Sequence, residues 1–597
     1  MLNGRLYRAA FVPFLFALAL AAFSLGPRPQ PLTSTLAPDA FEGQVAYADL
    51  RSLGAHYPDR RPGSAGDIAL ATHIAAELKA LGGAAGGGFS VRTETVQGQT
   101  IGGEASLENV IAERPGSTSA APILIIAHRD APVSPSTAEL SGTAALLELA
   151  RVFAARETKR TIVLASTSGG SGGDAGASAL LSELHGPFDA AIVLGDLGGL
   201  ATRPPVVVPF SDGLGSAPIQ LQRTLAEAIT HQVGSNPGAP SALGQLAHLV
   251  FPLAPGEQGV LNEAGVPSVL VQASGERGPS PREAIGAERL QSYGRAVLSA
   301  VDALDTAPDL AAEMQTSVLL QRQIVPEWAL RLLTITLLLP AMVAVIDGLA
   351  RARRRRRPVG RSVLWALSCS LPFLCCAIFA YLLGLLEVLG STPAVPVLGS
   401  AMSLDGTAIT AIFAVLLTFA LAWLLWRALI RRLGWGTRPD PDVGGLSLLL
   451  LLLLVGVVVW GGDPFTVLLA LPAVHLWLLL ASPELRPPRL ASLGLVALAL
   501  VPLGLLIAFY AHQLGLGAGG VAWSAVLLVA GGHVGFGGAL LWSLALGCGA
   551  AAVILSLRPA LPDIGPESPG GVEVTIRGPL SYAGPGSLGG TKSALRR

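Results

Sequence analysis

The side chains of this chain that could do chemistry gather at a few places. They are His128-Arg129-Asp130, Asp196, and the glycine-rich stretch Ser168–Gly176, each directly after a run with strand character. An imidazole beside carboxylates can move a proton, ligate a metal, or form a hydrogen-bonded pair at a strand end. Other chemistries find little footing. The stretch Ser168–Gly173 lacks the lysine of a phosphate loop, and no Gly-x-Ser-x-Gly elbow occurs. The four cysteines, Cys369, Cys375, Cys376 and Cys548, all lie inside apolar runs, so neither a thiol nucleophile nor a thiolate zinc cage is available. His56, His73, His185, His231 and His248 read as ordinary residues with no i,i+4 or His–Glu partner.

The elements that must position these residues follow from the patterning. Leu107–Glu113, Ile123–Ala127, Thr161–Ser166, Ala190–Gly195 and Ser268–Gln272 read as strands. Ser141–Ala155, Ala177–Leu184 and Glu288–Leu304 read as helices. Strands alternating with helices predict an α/β domain over about residues 30–320, with a mostly parallel sheet covered on both faces. Such sheets place their chemistry at the carboxyl ends of the strands, which is where His128, Asp130 and Asp196 fall.

This region resembles the zinc aminopeptidases of peptidase family M28. The resemblance is carried, in order, by Pro58–Ser64 (PDRRPGS), Glu108–Ala112 (ENVIA), His128-Arg129-Asp130 and Ser141–Arg151 (SGTAALLELAR). Asp196 and Gly265-Val266-Pro267 complete it. It covers about residues 45–305 and implies an M28-type fold. It also implies two zinc ions with a carboxylate general base. His128 and Asp196 match one zinc's ligands, and Asp130 matches the carboxylate that orients the imidazole. The other positions depart from the pattern. Ala138 stands where the bridging Asp would be, and Gly170 and Ser171 stand where a Glu-Glu pair would supply the base and another ligand. No His occurs between Gln272 and Gln291. The expectation is therefore a degenerate site with vestigial metal positions at His128 and Asp196, no catalytic residue, and no cofactor. Zinc would return only if Glu139 or Asp174 supplied a third ligand.

Composition adds a second half. Of 597 residues only 13% are charged, about half the usual share, and 51% are hydrophobic. Mean hydropathy is +0.57. Net charge is zero, so no basic field draws nucleic acid. Residues 9–25 form an apolar run after Arg5 and Arg8, read as an uncleaved anchor within 1–26. From residue 328 seven further spans are expected, at 329–350, 362–386, 407–429, 443–461, 464–481, 490–510 and 534–557, about eight in all. The segment 520–532 reads as a short surface helix or re-entrant piece, and 559–597 as a disordered cytoplasmic tail. Arginines at 351, 353–357, 427, 431, 432, 438, 486, 489 and 558 mark inside loops. The loops 387–406, 462–463 and 511–520 have no Lys or Arg. That pattern puts both termini in the cytoplasm and residues 27–320 on the opposite face. Few ionisable groups lie within the spans. Only His475 sits near a span centre, where a hydrogen bond to a neighbouring helix is expected.

An anchor, a degenerate M28-like domain and seven more spans also resemble the peptidase-related subunit of the eukaryotic GPI-transamidase. That resemblance rests on architecture and on the shared loss of site residues. The reading is a non-catalytic membrane scaffold for a partner protein, a peptide or membrane lipids. A membrane-bound aminopeptidase with a rebuilt zinc site, and a lipid or solute carrier with a cap domain, are the alternatives.

Overall fold

The computed structural model describes residues 3–82, 88–134, 136–183, 187–308, 310, 316–320, 322–389, 397–402, 404–433, 443–481 and 487–557. The tail expected at 559–597 lies outside them, as do His185, Arg438, Arg486 and Arg558.

Seven strands form one sheet: β1 (Ser90–Thr100), β2 (Gly103–Arg114), β3 (Ile123–His128), β4 (Ile162–Thr167), β5 (Ala190–Leu194), β6 (Val207–Val208) and β7 (Ser268–Val271). Their order across the sheet is β1-β2-β4-β3-β5-β7-β6. The middle four are parallel, and every residue of β3, β4, β5 and β7 but His128 is buried. Strands covered on both faces need such continuous apolar runs. The expected mostly parallel sheet is corrected at its flanks, because β1/β2, β2/β4 and β6/β7 pair antiparallel. The sheet is mixed. The two-residue link Ile101-Gly102 allows only a hairpin between β1 and β2. β1 escaped the sequence reading because it is a half-exposed edge strand rich in Thr and Gln.

Helices Gly43–His56, Ala65–Gly82, Leu140–Ala154, Ile219–Val233 and Ala287–Thr306 cover one face with a single apolar core. Ala175–Glu183 and Gln258–Glu263 cover the other. Gly142 lets the helix Leu140–Ala154 approach the sheet, since a Cβ there would lie 2.3 Å from the Leu194 carbonyl oxygen.

Gly26–Pro27 pairs with Gln323–Val325, which pairs with Val318–Leu319, so the chain enters and leaves the α/β domain through one small sheet. Beyond it lie apolar helices. Six are long and apolar enough to cross a membrane: Gly4–Phe23, Glu327–Arg354, Val359–Leu385, Gly406–Arg432, Gly444–Gly462 and Phe536–Ser556. The bent pair Arg489–Ala499 and Val501–Gln513 would make a seventh. The expected eight spans are thereby reduced. Thr466–Ala481 is 16 residues, short of the roughly 20 that a straight helix needs. Its ends nevertheless lie against Val250 of the α/β domain and against Gly445 at the far end of the preceding helix. Ala518–Ala530 is a short helix, as the glycine content predicts.

His475 Nε2 donates to the Leu337 carbonyl at 3.0 Å, and its Nδ1 shares a hydrogen bond with the Tyr7 hydroxyl at 2.9 Å, which ties the first helix to two others. The reading of unpartnered histidines is corrected. His73 pairs with Glu77, and His231 with Glu227, each at 3.2 Å across one helical turn. His248 forms a buried pair with Glu276 at 2.9 Å, stacks on Phe210, and meets Tyr510 of the apolar helices.

Candidate functional site

The strand-end site is built from the motif residues upward. Arg129 is buried and fully engaged. It pairs with Asp67 at 2.8 Å and donates to the carbonyls of Ser166 and Glu108. Asp67 also accepts from the Ser168 hydroxyl at 2.6 Å and the Gly63 amide at 3.0 Å. Arg60 in turn donates to the carbonyls of Arg129, Tyr57 and Ser136. Asn109 donates to the Gly176 carbonyl at 2.8 Å. The segments Pro58–Ser64 and Glu108–Ala112 therefore act as braces under the His128 loop.

His128 stands at the carboxyl end of β3, 13% exposed, with Asp130 fully buried beside it. Its Nδ1 lies 3.5 Å from the Asp130 carboxylate and 3.1 Å from the Asp130 carbonyl. Asp130 spends its two oxygens on the amides of Gly170 (3.1 Å) and Ser171 (3.0 Å). The glycine-rich loop is thus clamped through its backbone. Burial alone would pull the His128 pKa down. The hydrogen bond and charge of Asp130, with the charges of Glu257 and Glu139, lift it instead to about 10. Burial pushes Asp130 up, but the imidazole and Ser171 hold it below the usual carboxylate range.

Glu257 was not legible in the sequence. It stands just before the helix Gln258–Glu263, accepts from the Thr167 hydroxyl, and is raised to about 7 by burial against the pull of His128. A Pro-Gly-Glu turn at a helix start carries no motif, so only the tertiary fold brings it here. Gly170 explains the rest. A Cβ at that position would lie 2.5 Å from the His128 Cβ and 3.1 Å from the Glu257 carboxyl carbon. The place where the resemblance expects a base side chain is already filled.

Asp196 follows β5 but turns elsewhere. Its Oδ1 accepts from the amides of Gly198 (3.2 Å) and Gly199 (2.7 Å), and Oδ2 has no hydrogen-bond partner. Burial raises its pKa against those amides. The fold joins His128 to Asp130, and Asp196 is held by the backbone of its own loop. Among the described residues no three His, Cys, Asp or Glu side chains come together to hold a metal ion.

Residues 109–244 match the model of Peptidase family M28. Several solved structures are similar to part of this chain. The LapA aminopeptidase of Legionella pneumophila is 16% identical, covering 46% of this chain and 73% of that one, with a TM-score of 0.35. BSAP, a zinc aminopeptidase from Bacillus subtilis, is 13% identical over 44% of this chain and 94% of its own, TM-score 0.33. A glutaminyl cyclase of Bacteroides thetaiotaomicron is 16% identical over 47% of this chain and 100% of its own, TM-score 0.33. No curated protein matches the sequence.

Proposed function

We propose that this chain is a non-catalytic, membrane-embedded M28-like protein that binds a partner protein, a peptide or a lipid. The observation that carries the reading is the filled space over Gly170, where His128 and Glu257 stand in the way of any side chain. Without a positioned base, proton transfer loses a factor of roughly 100 to 10,000. The architecture supports the same reading. An apolar N-terminal helix, an M28 domain and a set of apolar helices resemble the peptidase-related subunit of the GPI-transamidase. In this proposal no cofactor is needed and nucleic acid is not a ligand. Purified protein with added zinc or cobalt should not hydrolyse aminoacyl substrates. Turnover that disappears in His128→Ala would overturn the reading.

One observation favours the alternative of a membrane-bound metallo-aminopeptidase with a rebuilt zinc site. Glu257 and Glu139 both act on His128, so carboxylates absent from the motif lie on its side of the fold. One zinc per chain, lost in His128→Ala, would support it.

The topology is also a proposal, with both termini in the cytoplasm and residues 27–320 extracytoplasmic, and the arginine asymmetry supports it. In a cysteine-free background, Ser134→Cys and Gly517→Cys should label from outside, and Arg356→Cys should not. Reversed labelling would turn the arrangement over.

A further inference from the structure

The chain passes from its first apolar helix into the α/β domain along the helix Ile219–Val233. Residues 28–32 lie against that helix. The Leu32 amide donates to the Thr224 hydroxyl at 2.9 Å, and the Gln220 side chain donates to the Gln30 carbonyl at 3.3 Å. Arg223 of the helix reaches across to the Pro29 carbonyl and, at 3.5 Å, to the Arg28 carbonyl. Arg28 in turn donates to the Leu320 carbonyl, in the segment that leaves the domain. Two arginines from distant parts of the chain thus stand together, each half-buried.

Both line a cavity of about 300 Å³, whose other walls are Val207, Ile219 and the loop 236–240. Glu227 is the one carboxylate in the lining, and it pairs with His231 at 3.2 Å. Helix geometry favours that choice. A carboxylate one turn before a cation is the better order, and Arg223 comes before Glu227. Among the described residues no ion pair joins an acid to Arg28 or Arg223. Burial pulls the Arg28 pKa down, and the charge of Arg223 pulls it the same way. Like charges held together without a counterion repel, and an anion bound between them relieves the repulsion.

The place of the cavity bears on the source of that anion. Arg28 follows closely on Gly4–Phe23, and Leu319, also in the lining, belongs to the small sheet that leads into Glu327–Arg354. Both helices are long and apolar enough to span a membrane. The helix Ala242–Val250 bonds Leu319 through Gln245 and meets Tyr510 of the apolar helices through His248. The cavity therefore sits where the domain joins two candidate spans, the level at which a bilayer carries its headgroups.

We propose that this cavity binds a phosphate group, presented by the headgroup of an anionic phospholipid. Each guanidinium is a planar fork that can meet two phosphate oxygens at once. An arginine has five N–H donors, and the carbonyls of Leu320 and Pro29 use few of them. A choline lipid offers the same phosphate but brings a quaternary ammonium up to two arginines, so it is held less well. Free phosphate shares the chemistry, and the position at the ends of two candidate spans favours the lipid.

Nothing in this site depends on whether the His128 centre is catalytic. Aminoacyl turnover would sink the non-catalytic reading and leave the phosphate site untouched. The full-length protein is placed in nanodiscs of equal phosphatidylglycerol and phosphatidylcholine, and retained lipid is quantified by native mass spectrometry. The arginines at 351 and 353–357, at the far end of Glu327–Arg354, would also hold anionic lipid. The pocket is therefore read as the difference between wild type and variant. Enrichment of the glycerol lipid should fall about fivefold or more in Arg28→Gln plus Arg223→Gln. Ala226→Leu, which fills the cavity and keeps both arginines, should lower it as well. Millimolar inorganic phosphate should compete. Phosphate binding that the double variant loses, with no lipid difference, would keep the chemistry and assign it to a soluble anion. Equal lipid retention in wild type and both variants, with no phosphate binding, overturns the proposal. If the double variant does not fold, Ala226→Leu decides, and undiminished enrichment there overturns it. A wild type that neither prefers the glycerol lipid nor binds phosphate overturns it without any variant.

Discussion

The α/β domain and the apolar helices handle charge in different ways. In the domain, fully buried charges find partners far away in sequence. Asp67 takes Arg129 and Ser168, Asp130 takes the amides of the glycine loop, and His248 takes Glu276. Among the apolar helices, charged side chains stay near helix ends and pair within one turn. Glu327 meets Arg331, and Asp347 meets Arg351 at 2.8 Å. A buried charge in a packed domain needs compensation from tertiary neighbours, whereas a charge at a helix end can keep its water. The lesson concerns the M28 motifs. Their polar residues are retained here as braces of the fold, whether or not chemistry survives above them.

The largest effect should come from cutting the brace. Arg129→Ala leaves Asp67 buried without its counterion and should cost about 3–5 kcal/mol. Arg351→Ala, in an exposed one-turn pair, should cost at most about 0.5 kcal/mol. Denaturant titration of the full-length protein compares the two, and equal losses would erase the contrast between the regions.

A smaller effect should separate two glycines. Gly170→Glu restores the carboxylate that the family resemblance expects, but its Cβ meets His128 at 2.5 Å. Overpacking of this kind costs roughly 1–3 kcal/mol, and no aminopeptidase activity should appear. Gly535→Leu points into open space and should leave thermal stability within about 0.5 kcal/mol. If Gly170→Glu gains turnover without destabilisation, the space over the loop is not closed.

The smallest effect belongs to the apolar helices. Tyr7→Phe removes the bond to His475, and such bonds between apolar helices are worth about 0.6 kcal/mol. The shift should appear in thermal melts as a small loss. A loss above about 2 kcal/mol would show that the first helix is held mainly through this contact.

Much of this molecule was legible along the chain. The runs Ile123–His128, Ile162–Thr167 and Ala190–Leu194 are buried on both faces, so their apolar continuity alone announced central strands. Most of the long apolar helices were legible for the same reason, although the expected eight spans become six or seven by length. The departures from the family pattern at Ala138, Gly170 and Ser171 are plain in the sequence as well. What the tertiary structure decided were relations between distant residues. β1 pairs antiparallel at an edge, where exposure weakens the apolar pattern. Glu257 reaches His128 across ninety residues of chain from Thr167, through a turn with no motif. Asp196 accepts from the amides of Gly198 and Gly199 in its own loop. Asp174, Asp212, Glu263 and Asp463 line one cavity only because three loops and a helix end border it. Local pattern encodes what each segment buries. Which side chains then face one another depends on packing, because burial constrains a residue's surroundings without naming its neighbours.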